Sequence, residues 1–531
     1  MPLKPTRGMT SFFEPKSIAV AGVSSDPKKL GSIIFANMIE NRKKGVLKAP
    51  VFALNPAHDR IGDEPCYASI DALPQVPELL IVSVPESQTL ALISGAARRG
   101  VKAAVLITGG YAETGNTNVE KKIGKVAAKH GMRILGPNTI GLVDTWSGVD
   151  SLFLRPTKTL PDGSHVVSML RPLKGEVAIV TQSGHLGEVV AEELAANGVG
   201  VRAIVGTGNQ LDVSVEDIID HFARDKHTRV VSVYLEGLRD GRRFMEVASR
   251  AVRRKPLVVF KVGKTSVGAR AALTHTASLV GDYETYQAAL RQSGAIEARS
   301  LQELIDLSVS LLMLPATKGK RLAIVTNAGG VGAVAADEAA TLGLKVEPLK
   351  GGARRAVQSA FAGEAFMANV SLENPVDLTA SVSSEQFVQA VRLVAAQEEY
   401  DLLLVLPTHH APGMEYNVGE RLSEAIEQSG KPAACCVIGN SELASRIHME
   451  FMSRGIPSFP TPERAVHALA ALPEYAVSKK STWETGISPR RRRRFAHGKD
   501  PLRQEEVSSL LRSYGIEEPK STIVTNVNKL Q

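Results

Sequence analysis

His275 sits at the centre of Thr274-His275-Thr276, inside a stretch from Val262 to Ala289 that is rich in glycine, alanine, serine and threonine. Small neighbours on both sides present an imidazole rather than bury it. An unperturbed imidazole, with a pKa of about 6.5, keeps one ring nitrogen free at neutral pH, so it suits proton transfer or nucleophilic attack. A carboxylate that accepts the other ring N–H fixes the tautomer and steadies charge on the ring. Glu236 is the matching carboxylate: it ends the apolar run Val230–Leu235, just as the His275 stretch follows the apolar run Pro256–Lys261. If both runs are strands of one parallel sheet, both side chains project at its carboxyl edge, where they can meet.

Anion cradles are the second chemical signal. Ser17-Ile-Ala-Val-Ala-Gly22 leads into a turn holding Ser24, Lys28 and Gly31 and then into a helical pattern. That order turns backbone N–H groups and the positive end of a helix toward a bound phosphate. The glycine spacing does not match the dinucleotide fingerprint, which argues against a dehydrogenase-like binder. A stronger signal is a repeat. Ala178-Ile-Val-Thr-Gln-Ser-Gly-His-Leu-Gly187 aligns without gaps on Ala323-Ile-Val-Thr-Asn-Ala-Gly-Gly-Val-Gly332, an offset of 323 − 178 = 145. Such self-similarity marks a duplicated α/β unit. Two like helix starts result, one at Ser183-Gly184 and one at Ala328-Gly329-Gly330. Packed about a pseudo-two-fold axis, they would aim two positive ends at one multiply charged anion. His185 would neighbour that anion from the first helical turn; His409 and His410 follow a strand but have no evident partner and read as peripheral.

The elements that must hold these residues follow from the pattern of the chain. A length of 531 residues implies roughly three or four compact units. Further apolar runs end in Asn55-Pro56, Val84-Pro85, Thr108 and Gly136-Pro137-Asn138, alternating with helical patterns. The alternation predicts doubly wound parallel sheets whose crevices lie at the strand carboxyl ends. We expect units at 10–145, 170–315 and 319–473, with an irregular boundary from Thr145 to Leu173. A polar, basic linker at 474–500 includes Arg490–Arg494, and a segment at 501–531 opens with an amphipathic helix near Glu505–Tyr514 but is too short for a core of its own. Hydrophobic residues make up 44% of the chain, and no apolar run reaches the roughly 18 to 20 residues of a bilayer helix, so a cytoplasmic protein without a membrane role is expected. Cys66, Cys435 and Cys436 match no common zinc spacing and read as small core residues; no metal site on this chain is expected. A net charge of +8 with only 5% aromatic residues does not advertise a nucleic-acid surface.

With these residues in view, the chain resembles the NDP-forming acyl-CoA synthetases of the succinyl-CoA synthetase superfamily, in particular the ADP-forming acetyl-CoA synthetase branch. The resemblance covers essentially the whole chain. It rests on an ordered set that includes Ala21-Gly22-Val-Ser24, Lys29-Leu-Gly31, Asn55-Pro56, Val84-Pro85 and Gly110-Tyr-Ala-Glu113. Gly136-Pro137-Asn138, Gln182-Ser183-Gly184, Gly208-Asn209, Leu235-Glu236-Gly237, Thr274-His275-Thr276, Asn327-Ala-Gly329-Gly330 and Asn374-Pro375-Val-Asp377 continue it. The resemblance implies a Rossmann-like CoA-binding domain followed by two flavodoxin-like domains. Gly22, Ser24, Lys28, Gly31, Asn55, Val84, Pro85 and Asn138 would then line CoA, with Ser183, Gly184 and Ala328–Gly330 on phosphate. His275 would carry a phosphoryl group and Glu236 would orient it. The implied substrates are an acyl-CoA or carboxylic acid, with ADP or ATP and Mg2+ on an ATP-grasp β subunit in a hetero-oligomer. Leu510-Leu511-Arg-Ser-Tyr514-Gly515-Ile516 looks like the opening of that ATP-grasp domain. Two positions depart from the family pattern: Ala277 stands where a glycine is usual after Ser-His-Thr, and Ala57 where a lysine often follows Asn-Pro. Ala277, together with an ATP-grasp domain of which 501–531 would be only the truncated start, leaves a second expectation open, a CoA-binding regulatory or scaffold protein without ligase activity.

Overall fold

The computed structural model describes residues 8–276, 281–480 and 504–513, without the side chains of 272–276, 504, 505, 510 and 513. It divides into a unit from Met1 to Ser481 and a unit from Thr482 to Gln531. In the second unit the described element is a helix at Gln504–Ser513, on the segment expected to form an amphipathic helix.

The first unit is built on three α/β sheets. The first contains β1 (Ile18–Ala21), β2 (Val51–Leu54), β3 (Arg60–Ile61), β4 (Glu64–Tyr67), β5 (Leu79–Val82), β6 (Ala103–Leu106) and β7 (Arg133–Leu135), in spatial order β3-β4-β2-β1-β5-β6-β7. Its central strands IAVA, LLIV and AAVL are buried along their whole length, as apolar runs covered by helices on both faces must be. All pairs are parallel except β3 with β4.

The second sheet holds β8 (Leu142–Asp144) and, after the exposed hairpin β9 (Thr157–Thr159) and β10 (His165–Val167), β11 (Lys174–Thr181), β12 (Val201–Gly206), β13 (Val230–Leu235), β14 (Leu257–Lys261) and β15 (Ile296–Ala298). Its order is β15-β14-β13-β11-β12-β8. Strand β8 lies in sequence at the end of the expected first unit, yet it pairs antiparallel with β12 of the second sheet. The cause is electrostatic as well as steric: β8 ends in Asp144, which meets the buried Arg202 of β12 at 2.5 Å, and Asp225 binds the same guanidinium at 2.8 Å. The third sheet, all parallel, orders β17 (Val376–Asp377), β16 (Leu322–Thr326), β18 (Leu402–Leu406), β19 (Ala433–Cys436) and β20 (Ser458–Phe459).

Helices tie the sheets together. Phe13 of the helix Thr10–Phe13 stacks on His221 of the helix Val215–Arg224 with centroids 4.5 Å apart. The helix Pro462–Ser478 packs on the helices Leu301–Met313 and Gly329–Thr341, joining the second sheet to the third. Because Tyr475 and Ala476 are buried in that contact, residues 474–478 are helical, and this part of the expected linker belongs to the fold. Residues 481–500, including Arg490–Arg494, lie outside the described residues. All three cysteines are buried and unpaired, and among the described residues no group of metal-ligating side chains gathers. No described helix is long and apolar enough to cross a membrane.

Candidate active site

At the carboxyl edge of the first sheet the backbone closes on itself. Gly22 has φ +89°, and a Cβ there would stand 2.7 Å from the Ser83 carbonyl oxygen. A Cβ on Gly31 would run into the Gly22 carbonyl and come within 2.5 Å of Ser83 Oγ. Only glycine lets the turn and the following helix press onto the end of β5. The turn is pinned from within: the Ser24 N–H donates to Ser32 Oγ at 3.0 Å, and Asn55 Nδ2 donates to the Val23 carbonyl at 2.6 Å. Gly22, Ser24, Gly31 and Asn55 therefore form one cradle, with Lys28 on its exposed rim, where the Lys28 N–H donates to Asp26 Oδ1. Pro85 caps the helix Glu86–Arg99, and the Val84 carbonyl accepts from Thr108 Oγ1 at 3.0 Å. Ala57 closes a turn by donating its N–H to Asn55 Oδ1 at 2.9 Å.

At the edge of the second sheet, Glu236 is 2% exposed. Gln182 fixes its backbone: Gln182 Oε1 accepts the N–H groups of Glu236 and Gly237, and Nε2 donates to the Gly237 carbonyl at 2.8 Å. Burial, and then the charge and hydrogen bond of Glu236, raise the Tyr234 hydroxyl above its ordinary range. On β14 the fully buried Lys261 donates to the Val262 carbonyl and lies 4.4 Å from the Tyr286 ring centre. Burial pushes its ammonium down to about 8, against the nearby Glu236 charge, which pulls it up. His275 belongs to the last turn of the helix Ser266–Thr276 that follows β14. The small-residue stretch is thus helical from Ser266 to Thr276; the His275 side chain and Ala277 lie outside the described residues.

That helix rests against the short turn Ala112–Thr114 of the first sheet's domain, and the turn carries Glu113. Glu113 Oε1 accepts the N–H groups of Gly110 at 2.5 Å and Tyr111 at 3.1 Å, while Oε2 accepts from Asn209 Nδ2 at 2.5 Å. Burial raises the Glu113 carboxyl, but the Asn209 and backbone hydrogen bonds outweigh it and leave the group below the usual carboxylate range. Asn209 also donates to Glu120, and Asn138 Nδ2 donates to its Oδ1 at 3.4 Å. A Cβ on Gly208 would collide with the backbone of Pro137 and Asn138, so the two domains touch main chain to main chain.

Beside this joint lies a cavity of about 370 Å3 whose lining includes Asn138, Gln182, Gly184, His185, Glu188 and Asn209. Two of the expected residues, Asn138 and Gly184, are brought into one space by it. Ser183 caps the helix Gly184–Ala196, with its own N–H donated to Thr181 Oγ1 at 3.0 Å. His185, with its side chain 84% exposed, stands at the mouth. Glu188 and Lys261 had no place among the expected site residues, and Glu113 and Asn209 had appeared only inside motifs. Position at strand or helix ends was the available signal, and it does not say which long-range pair will form.

The second copy of the repeat keeps the local wiring. The Ala328 N–H donates to Thr326 Oγ1 at 3.0 Å, as Ser183 does to Thr181, and Asn327 Oδ1 accepts the Thr408 N–H at 2.7 Å, as Gln182 does for Glu236. Its helix start differs in charge. A Cβ on Gly329 would lie 2.6 Å from Asp377 Oδ2, so a carboxylate faces this helix end. The cavity lined by Gly184 includes none of Ala328, Gly329 or Gly330. His409 is buried, its ring centre lies 3.9 Å from that of His410 with the rings tilted by 36°, and it contacts Ser441 Oγ at 3.3 Å.

Residues 16–145 match the CoA binding domain family, and residues 174–311 match the succinyl-CoA ligase like flavodoxin domain family. The chain is 35% identical over 470 residues to acetate–CoA ligase [ADP-forming] I of Archaeoglobus fulgidus, spanning 64% of that protein's length and 88% of its own. It is 32% identical over 479 residues to the α subunit of acetate–CoA ligase [ADP-forming] II of Pyrococcus furiosus, covering 97% of that subunit. Among solved structures it is similar, with a TM-score of 0.79 and 32% identity, to a dinucleotide-forming acetyl-coenzyme A synthetase 1 of Ca. Korarchaeum cryptofilum in complex with phosphate and ADP, covering 97% of that chain.

Proposed function

We propose, from the premise that this chain belongs to the ADP-forming acetate–CoA ligase family, that it interconverts acyl-CoA, phosphate and ADP with a carboxylic acid, CoA and ATP. The carrying observation is the cavity that sets Asn138 of the CoA-binding domain opposite Gly184 at the start of a helix. A thioester delivered along the first sheet's edge and a phosphate at that helix end would meet there. The Gly22–Gly31 cradle fits CoA, because glycine at both positions lets the turn close onto Ser83 and brings the start of the following helix, an anion-binding end, to the sheet's carboxyl edge.

A phosphate oxygen attacks the thioester carbon, the C–S bond breaks, and CoA leaves as the thiolate. The acyl phosphate then loses its phosphoryl group to a ring nitrogen of His275: the N–P bond forms as the O–P bond to the carboxylate breaks. Glu236 accepts the other ring N–H, which holds the tautomer and offsets the charge that grows on the ring. In the last step the phosphoryl group passes from His275 to ADP, which Mg2+ and an ATP-grasp partner subunit would hold. The Pyrococcus furiosus relative is itself named an α subunit, which supports a partner subunit in that role.

The test is labelling with radioactive phosphate. Incubation with acetyl-CoA and labelled phosphate puts acid-labile label on the wild-type chain and none on His275→Ala; equal labelling of that variant overturns the assignment. Addition of an ATP-grasp subunit and ADP then discharges the label as ATP. A CoA-responsive scaffold would bind CoA and take up no label.

A further inference from the structure

Glu188 lies one helical turn beyond Gly184, on the same face of the helix and in the wall of the same cavity. It is 3% exposed. Its Oε1 has no hydrogen-bond partner among the described residues, and the nearest ionic neighbour of Oε2 is His185 Nδ1 at 3.7 Å. A buried carboxyl oxygen without a donor is costly, so a group built this way is normally completed by something that binds. Behind it, Arg171 Nη2 donates to the Leu154 carbonyl at 2.9 Å, while its buried Nη1 lies 3.3 Å from Asp150 without a hydrogen-bond partner among the described residues. Burial pushes the Glu188 carboxyl up to about 7, Arg171 draws it down, and Asp150 and Glu192 push it up again. The same lining holds four apolar residues, Ile107, Ile140, Phe153 and Leu154, beside the polar Asn138, Thr139, Gln182 and Asn209.

Such a wall fits an aliphatic chain with one polar end. The partner suited to Glu188 is neutral: a cation would have the Arg171 guanidinium as a neighbour, and a further carboxylate would meet Glu188, Glu192 and Asp150. A hydroxyl serves both states of a half-ionised carboxyl, donating to the anion and accepting from the acid. Position follows from helix geometry. Four residues advance about 6 Å along the axis, and an extended chain advances about 1.2 Å per bond. With the reacting carbon at the Gly184 end, a hydroxyl four to five bonds away reaches Glu188.

We propose that Glu188 is a specificity-determining residue that selects acyl groups carrying a hydroxyl on the fourth carbon or one carbon beyond. This rests on the acyl-CoA reading above, and the experiment separates the two. The wild-type chain is labelled with radioactive phosphate in the presence of freshly prepared 4-hydroxybutyryl-CoA or of butyryl-CoA, thioesters that differ by one hydroxyl, and the ratio of initial rates at subsaturating thioester is read. A site that hydrogen-bonds a substrate hydroxyl rejects the analogue lacking it, and the expected preference is roughly tenfold or more. In Glu188→Met, an apolar side chain of similar length, the ratio falls to about one; in Glu188→Gln, which still hydrogen-bonds, most of the preference survives. A wild-type ratio near one, or a ratio unchanged in Glu188→Met, overturns the assignment while leaving the acyl-CoA reading intact. Failure of 4-hydroxybutyryl-, butyryl- and acetyl-CoA alike to label the wild type overturns both. The wild-type ratio stands on its own should Glu188→Met fail to fold.

Discussion

Glu236 is held by its backbone through Gln182 and by its side chain between Tyr234 and Lys261, which frees its position from the fluctuations of an ordinary strand-end carboxylate. Glu236→Gln keeps the size and loses the charge, so it should lower labelling of His275 by 10- to 100-fold and leave CoA affinity, measured by calorimetry, nearly unchanged. Equal loss of both would make the residue structural. Lys261 adds a pH signature. Its ammonium is held down to about 8, so the charge that balances Glu236 disappears as the pH rises through that value. The rate of phosphorylation should therefore show an alkaline limb near pH 8. Lys261→Met should be slower at pH 7 and lack that limb, whereas a surviving limb would assign it to another group.

At the scale of elements, the glycine turns are not equivalent. Gly31→Ala places a methyl group against the Gly22 carbonyl and Ser83 Oγ, so it should cost about 1–3 kcal/mol of stability and weaken CoA binding at least tenfold. Gly330→Ala meets nothing within 4 Å and lies in a helix, so it should be neutral or stabilise by up to about 1 kcal/mol. Thermal unfolding with and without CoA decides both. The same contrast marks what could be read from the chain. Parallel sheets and the duplicated unit were legible because apolar runs, turn glycines and the 145-residue offset are local patterns. The Thr181–Ser183 and Thr326–Ala328 contacts show that the repeat reaches down to single hydrogen bonds. The carboxylate of Asp377 beside Gly329, the Glu113–Asn209 link and the pairing of β8 with β12 join residues 48, 96 and about 60 positions apart. Periodicity carries no information at those separations.

Across the whole unit, the second and third sheets are joined around one imidazole. His467, on the helix Pro462–Ser478, directs Nδ1 to Glu303 Oε1 at 3.0 Å and Nε2 to Glu338 Oε1 at 2.7 Å. Glu303 sits on the helix Leu301–Met313 of the second sheet's domain and Glu338 on the helix Gly329–Thr341 of the third. Both ring nitrogens face acceptors, so the cation is the form that satisfies both. The hydrogen bond to Glu303 raises the His467 pKa, burial opposes it, and Glu338 adds to the rise. Glu303 agrees: burial raises its carboxyl, but the His467 hydrogen bond brings it below the ordinary range. A group whose folded pKa lies above its unfolded value contributes stability that is complete below about 6.5 and is lost as the pH rises through the folded value. His221, at the contact between the first and second domains, has the opposite sign. Burial lowers it to about 4, so its contribution is present above 6.5 and declines as the pH falls toward 4. The two interfaces should therefore loosen at opposite ends of the pH range, the first-to-second contact in acid and the second-to-third contact in alkali. Urea unfolding of the wild type and of His467→Gln at pH 6.0 and 8.5 measures this directly. The wild type should exceed the variant clearly at pH 6.0 and by much less at pH 8.5, because the neutral ring leaves one carboxylate without a donor just as glutamine does. A gap that is the same at both pH values would mean that His467 joins the sheets by packing alone.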